Sequence, residues 1–308
     1  MDRKKVALIT GIAGGLARLT AAALYQQGFQ IVGVDYRPVA RALDHPAHLY
    51  QANYNKTKIE DIFRRHPPTH VLHLGRVGNL KQQINKRFDL NVLGSRKVMD
   101  LGLRYGAERM VVLSTFHIYG AHPHNHIPIF EDEPLRAGAD FPQLADAIQL
   151  DNQAISWMFQ HQNCPVAVLR PTNVIGPDIE NAMSTVLRAP RVPVMMGFDP
   201  MTQFVHQDDL VSALVAVAQG KAIGVYNVAG DGELPWRRAA EMVGAKELPI
   251  PSTIASGYLR VAGLFKQMLP PYLLNFLKYP CVISNQALKG TFGWRSRVSI
   301  QDGLRSLR

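Results

Sequence analysis

The chain has 308 residues, a formal net charge of +10, and hydrophobic and charged fractions of 47% and 19%. That length can bury a sizeable core as one large domain or two, and the composition is that of an ordinary globular protein without low-complexity tracts or repeats. The excess of basic residues is scattered and accompanied by no nucleic-acid motif, so an anionic small ligand is expected and DNA or RNA is not.

No stretch of about 18 uncharged apolar residues is present, so no membrane-spanning helix is expected. Met1-Asp-Arg-Lys-Lys5 is basic, but the apolar run behind it is short and breaks into glycines, which argues against a signal peptide. Cys164 and Cys281 fit no metal or redox spacing and suit a reducing, cytoplasmic compartment.

The first element is Val6–Thr10, a short apolar strand running into a glycine-rich turn. A helical pattern follows through Leu16, Leu19, Thr20, Ala23 and Leu24. Strand, tight loop and helix N-terminus together form the arrangement that receives a dinucleotide pyrophosphate. Gly11 permits the sharp turn, Gly14 lets the backbone approach phosphate oxygens, Gly15 and Leu16 open the helix, and Ala17 is small enough to pack on the strand. Gln30–Asp35 is a second strand, and its terminal carboxylate is placed to hold the adenosine ribose hydroxyls and repel a 2′-phosphate. NAD is therefore expected over NADP, a choice that Arg37 could soften.

Strands are predicted at 70–75, 109–115 and 165–170, with helices from about 84 to 105 and 143 to 162. This alternation predicts a doubly wound parallel α/β sheet, with ligands outside the carboxyl ends of the strands. Residues 1–170 are expected to form the dinucleotide-binding domain. Beyond Arg170 prolines punctuate short elements, and 171–308 is expected to be a smaller, mainly helical substrate region covering the cleft. Within it, about 204–228 is expected to return to the main sheet through a helix at 207–219 and a strand at 225–228.

These segments together resemble the extended short-chain dehydrogenase/reductase family, the NAD-dependent epimerase/dehydratase group acting mostly on nucleotide sugars. Thr10-Gly-Ile-Ala-Gly-Gly-Leu-Ala17 is similar to its dinucleotide loop, and Val71-Leu-His-Leu-Gly75 to its fourth strand. Asn91-Val-Leu-Gly94 resembles the helix signature whose Asn holds the central helix, and Leu113-Ser-Thr-Phe-His-Ile-Tyr-Gly120 the strand carrying the catalytic Ser or Thr. Leu169-Arg-Pro-Thr-Asn-Val-Ile-Gly-Pro177, Phe204–Leu210 and Gly224–Val228 resemble the later segments. The resemblance implies NAD as cofactor, held by Gly11, Gly14, Gly15, Leu16, Asp35, Asn53, Leu74, Gly75 and Asn91. Asn53 stands where the family usually has an Asp contacting adenine. It also implies a nucleotide sugar or other anionic ligand near Thr115, Asn173, Arg188 and Arg191, and allows a homodimer.

Family members use Ser/Thr, Tyr and Lys: the Tyr exchanges a proton with a substrate hydroxyl, the Lys lowers its pKa and binds the nicotinamide ribose, and the Ser/Thr hydrogen-bonds the reacting oxygen. Thr115 lies where the family has its Ser/Thr. Aligned on Pro142 and Asp151, the Tyr and Lys positions hold Gln143 and Ala147. Gln does not titrate, and Ala offers the ribose nothing. The resemblance thus implies binding, with a degenerate catalytic site; an active epimerase, reductase or dehydratase with another acid/base is the alternative. The Thr202-Gln203 pair before Phe204 replaces an Arg common in sugar-nucleotide enzymes.

Three further features carry expectations. His122, His124 and His126 alternate on the loop after Thr115, where a metal site is conceivable, but no Cys or carboxylate lies among them and Pro123 bends the loop, so none is expected. His117 and His122 titrate near neutrality and could donate protons. Residues 258–279 are apolar with sparse lysines and are read as helices capping the substrate region; a peripheral membrane contact, in a protein acting on a hydrophobic alcohol, is the alternative.

Overall fold

The computed structural model describes residues 4–78, 83–252 and 272–308. In chain order come β1 (Val6–Thr10), α1 (Gly15–Gln26), β2 (Gln30–Asp35), β3 (Ala47–Gln51), α2 (Thr57–Arg65) and β4 (His70–His73). Then follow α3 (Ile84–Phe88), a π turn (Asp89–Gly94), α4 (Ser95–Arg104), β5 (Arg109–Leu113), α5 (Ala137–Asp140), α6 (Ala145–Gln160), β6 (Val166–Pro171) and β7 (Asn173–Ile175). The rest comprises α7 (Ala182–Arg188), β8 (Arg191–Met195), β9 (Met201–Thr202), β10 (Phe204–His206), α8 (Gln207–Gln219), β11 (Gly224–Val228), β12 (Leu234–Pro235), α9 (Trp236–Met242), β13 (Lys246–Ile250) and three short helices after residue 272.

The main sheet has seven strands in the order β11-β6-β5-β4-β1-β2-β3, all paired in parallel. The chain winds outward from β1 to β3, then crosses back to place β4 on the other side of β1. That reversal opens a crevice at the carboxyl ends of β1 and β4, where open α/β sheets bind ligands. Helices cover both faces, which is why the central strands are apolar throughout instead of alternating: Ala7, Leu8 and Ile9 are all fully buried. Leu24 of α1, Leu214 and Val217 of α8, and Leu288 and Trp294 pack on one face. Ile62, Phe63, Val98, Met99, Leu150 and Trp157 of α2, α4 and α6 pack on the other.

The doubly wound sheet and the mainly helical C-terminal part are as expected, and 207–228 returns to the main sheet, with α8 packed on its face and β11 paired with β6. Only β11 of the 204–228 stretch enters the main sheet, whereas β10 pairs in parallel with β7 as a separate two-stranded sheet. Residues 286–294 do not cover the cleft: Phe292 packs edge-on against Tyr226 at 5.1 Å, and Leu288 and Trp294 belong to the core of the main sheet. Edge strand β3 had no readable pattern, because its Ala-His-Leu-Tyr-Gln sequence is half-exposed and lacks an apolar period. The expected long helix at 84–105 is α3 and α4 joined through the π turn, which contains Asn91.

Of the 258–279 stretch, 258–271 lie outside the described residues. The described end is buried: Leu273 and Phe276 are 1% and 8% exposed, and Phe276 meets Phe116 at 5.4 Å and His117 at 5.1 Å. Among the described residues no helix is long and apolar enough to cross a membrane.

Candidate functional site

The glycine loop is interlocked with the neighbouring strand. Gly11 has φ of +79°, a conformation that favours glycine, and a Cβ there would meet Gly75 Cα at 2.7 Å. Gly75 in turn leaves room for the Tyr54 hydroxyl, which would stand 2.3 Å from any Cβ added at that position. That hydroxyl accepts from the Gly11 N–H at 3.0 Å. The Gly75 N–H donates to Thr10 Oγ1 at 3.0 Å, and the chain continues through His73 to Ser95 and the Asn91 carbonyl. Tyr54 was not legible as part of the site, since it lies in no motif, and the motif that contains His73 gave no sign of its bonds to Thr10 and Ser95.

Beyond this lock, the first turn of α1 presents Gly15, Leu16 and Ala17, whose N–H groups have no carbonyl one turn earlier in the helix. No acidic residue sits in that turn, so the positive end of the helix dipole is uncompensated by its own sequence. An anion such as a pyrophosphate fits those donors.

Asp35 is 1% exposed at the end of β2. Its Oδ2 accepts from the Ala13 N–H at 3.0 Å, which ties the second strand to the glycine loop. The Arg37 guanidinium lies on the same carboxylate, Nε to Oδ1 at 3.2 Å and Nη2 to Oδ2 at 3.1 Å. Arg37 therefore sits where a ribose edge would approach, with its side chain half-exposed. Asn53 bonds the Asn55 N–H and Asp89, and Leu74 lines the end of β4 at 8% exposure.

Asn91 is fully buried and brackets the backbone of Val77, with its Oδ1 accepting at 2.8 Å and its Nδ2 donating at 3.1 Å. The same Nδ2 bonds Asp146 in the first turn of α6, and Asp146 is paired with buried Arg87. Arg87 also donates to the Gln143 carbonyl. One polar network thus runs from the glycine loop to the residues that precede α6. A second, through Asp151 and Arg170, fixes the middle of that helix: Arg170 Nη2 meets Asp151 Oδ2 at 2.6 Å, and Nη1 donates to the Tyr119 hydroxyl at 2.7 Å. Tyr119 is consumed there, and it donates to Asn227 at 2.8 Å. Burial pushes its pKa up to about 12, only partly opposed by Arg170.

Thr115 closes β5 at 5% exposure, with its Oγ1 2.9 Å from His117 Nδ1 and accepting weakly from the His117 N–H at 3.4 Å. His117 Nε2 is buried among the described residues without a partner, facing an aromatic surround of Phe116, Tyr272 and Phe276 with centroids 4.4, 5.2 and 5.1 Å away. Burial, reinforced by nearby Arg76, pushes its pKa down to about 3, so the ring is neutral and is no proton donor at neutral pH. Arg76, partly exposed after β4, has its own pKa lowered, mainly by burial. Gln143 Oε1, Ser114 Oγ and Asn173 Oδ1 are likewise buried and unpaired among the described residues. Ser114 follows β5 and Asn173 opens β7, on the side of the sheet where folds of this kind take ligands. Ala147 is 4% exposed.

The two expected substrate cations are placed differently. Arg188 is committed to the carbonyls of Gly176, Ile179 and Pro177 at 2.7 to 3.2 Å, and so shapes the 176–179 loop instead of presenting a free charge. Arg191 is exposed at the start of β8. In the histidine loop the His122 and His124 rings lie tilted to each other at 5.3 Å while His126 pairs with Glu133 at 3.2 Å, so the three rings do not converge.

The sequence matches a family model described as the NAD dependent epimerase/dehydratase family over residues 7–229. The chain belongs to that family. It is 30% identical to an uncharacterised protein of Mycobacterium tuberculosis over 166 residues, 53% of this chain and 44% of that protein. It is also 30% identical to the dTDP-glucose 4,6-dehydratase of Streptomyces griseus over 151 residues, 47% of this chain and 44% of the relative. The chain therefore spans under half the length of these curated relatives. In structure it is similar to the UDP-glucose 4-epimerase of Thermus thermophilus in complex with NAD, with a TM-score of 0.76, 22% identity and coverage of 98% and 97% of the two chains. That likeness establishes the shared epimerase/dehydratase fold.

Proposed function

We propose that this family member binds NAD, in preference to NADP, together with a nucleotide sugar or similar anionic ligand, and does not run Tyr/Lys proton transfer. The reading rests on one contrast: the dinucleotide loop is complete, while Gln143 and Ala147 stand at the proton-transfer positions. The first-turn donors of α1 would hold the pyrophosphate and Asp35 the ribose, with Asn53 and Leu74 beside the adenine end. Bound NAD would supply a hydride acceptor. Among the described residues the chain supplies Thr115 as a hydrogen-bonding group, and Gln143 and Ala147 offer no base to remove a proton. His117 is too weakly basic, and the Tyr119 and Tyr272 phenols are held protonated, primarily by burial.

Loss of general acid/base help costs about 10²–10⁴ in rate. Such a protein would act in the cytoplasm as a sensor, scaffold or partner subunit, with a homodimer compatible with the family. Calorimetric titration with NAD and with NADP, followed by a turnover assay on UDP-glucose, tests this. Binding of NAD without turnover is expected. No binding of either cofactor overturns the reading, and substantial turnover insensitive to Thr115→Ala overturns the catalytic half.

A further inference from the structure

The dinucleotide loop has few donors left to offer. Its N–H groups are already used inside the fold: Gly11 and Ile12 donate to the Val34 carbonyl at 2.8 and 3.3 Å, Ala13 to Asp35 Oδ2 at 3.0 Å, and Gly14 to the Gly11 carbonyl at 2.9 Å. A diphosphate therefore meets the first-turn N–H groups of α1 and the cation nearest to them. Arg18 is not that cation, since its Nη1 and Nη2 bond the carbonyls of Arg41 and Ala42. Arg37 is placed for the task. Its Nη2 lies 3.6 Å from the position that a Cβ would take on Gly14, so the guanidinium rests directly over that glycine.

The same guanidinium closes the ribose site. An ionised carboxylate has about four lone-pair positions, and those of Asp35 are filled. Oδ1 accepts from the Arg37 N–H at 2.9 Å and from Nε at 3.2 Å, while Oδ2 accepts from the Ala13 N–H at 3.0 Å and from Nη2 at 3.1 Å. The Asp35 side chain is 1% exposed and the Arg37 side chain 49%. Ribose hydroxyls thus meet no free oxygen, and the group in their way is the one that faces solvent. A pair exposed on one side contributes less than about fivefold to an equilibrium, so the guanidinium leaves at little cost once a better partner arrives. Phosphate is that partner: a charge-assisted contact between Arg and phosphate contributes about tenfold or more.

We propose that Arg37 is a movable gate on the adenosine half of the site, covering Asp35 in the free protein and turning to the ligand's diphosphate, which opens the carboxylate to the ribose. Recognition of the ribose then depends on the phosphate attached to it. A nucleoside without phosphate must displace the guanidinium and offers nothing in return. The gate acts on every nucleoside diphosphate, with or without a 2′-phosphate. This inference rests on the cofactor class of the preceding section, and it gives the loop a discriminating residue outside its glycines. For NAD, removal of Arg37 loses a phosphate contact and frees the ribose site, two effects of opposite sign.

The test is calorimetric titration of the full chain with ADP and with adenosine, in the wild type and in Arg37→Ala, with thermal melts checking that the variant folds. Adenosine should bind the variant up to about fivefold tighter, since no surface pair has to be broken. ADP should bind the variant more weakly, so that the preference for ADP over adenosine falls by about tenfold or more. A loop merely disturbed by the substitution would weaken both ligands, so the opposed changes report the gate. Adenosine binding that is no tighter in the variant overturns the proposal, and unchanged or tighter ADP binding overturns the turn toward phosphate. If these signs fail while NAD binds the wild type, the gate alone is wrong. If neither NAD nor ADP binds the wild type or the variant, the cofactor class falls, and the gate with it.

Discussion

The backbone carbonyl of Asp178 lies against the first residue of α1, so that a Cβ on Gly15 would stand 2.0 Å from it. Three interactions hold Asp178 there: its N–H donates to Gln207 Oε1 at 2.9 Å, Gln207 Nε2 returns a bond to its carboxylate at 2.8 Å, and Arg188 staples the carbonyls around it. Gly15 is therefore required by close approach of a distant loop, in addition to any approach of phosphate. Gly15→Ala should lower stability by about 1–3 kcal/mol, since backbone must move to admit the methyl group. Chemical denaturation measures this; an unchanged midpoint would contradict the packing.

Asp151 and Arg170 are 0% and 3% exposed as side chains and bond through two contacts. Asp151→Ala leaves the guanidinium buried without its carboxylate and should cost about 3–5 kcal/mol. The double variant Asp151→Leu with Arg170→Met should be closer to wild type than either single change. A double-mutant cycle in urea separates these outcomes.

His73 is buried between Thr10 and Ser95, and burial lowers its pKa to about 4. In the unfolded chain a histidine titrates near 6.5. The unfolded state therefore binds the extra proton first, and stability falls as pH drops from about 6.5 to about 4. Below that the loss levels off, at roughly 3 kcal/mol for this group. His73→Gln should flatten the dependence of stability on pH across that window, as measured by denaturation at successive pH values. A slope identical to wild type would show that His73 is not the titrating group.

Arg37 neutralises Asp35 at the edge where a ribose would bind. Its guanidinium is also the group near that carboxylate able to receive a 2′-phosphate. Arg37→Ala should weaken NADP binding by about tenfold or more, on the scale of a charge-assisted hydrogen bond, while NAD binding changes less. Parallel titrations with the two cofactors provide the measure. An equal loss for both would mean that Arg37 acts only by holding Asp35.

If the missing pair alone blocks turnover, Gln143→Tyr with Ala147→Lys should restore some cofactor reduction on a suitable alcohol. The polar networks through Asp146 and Asp151 hold both positions on a fixed helix start. The expected readout is absorbance of the reduced nicotinamide with UDP-glucose as substrate. A fold-competent double variant that binds NAD but reduces none would place the block elsewhere in the cleft.

The sequence by itself determined the doubly wound sheet, because buried parallel strands and amphipathic helices impose periods that a local window can read. It also determined the glycine loop and Asp35 at the end of its strand, both properties of residue identity at fixed spacing. Tertiary structure decided what depends on contacts between residues far apart in the chain. Tyr54 under Gly75, Asp178 over Gly15, the Arg87–Asp146 pair and the commitment of Arg188 to three carbonyls have no local signature. Nor could spacing show that His117 is held neutral, since that depends on aromatic rings from residues 272 and 276 closing over it. A motif fixes which groups are available, whereas burial and partner geometry fix their charge and direction, and the chemistry of this cleft turns on the latter.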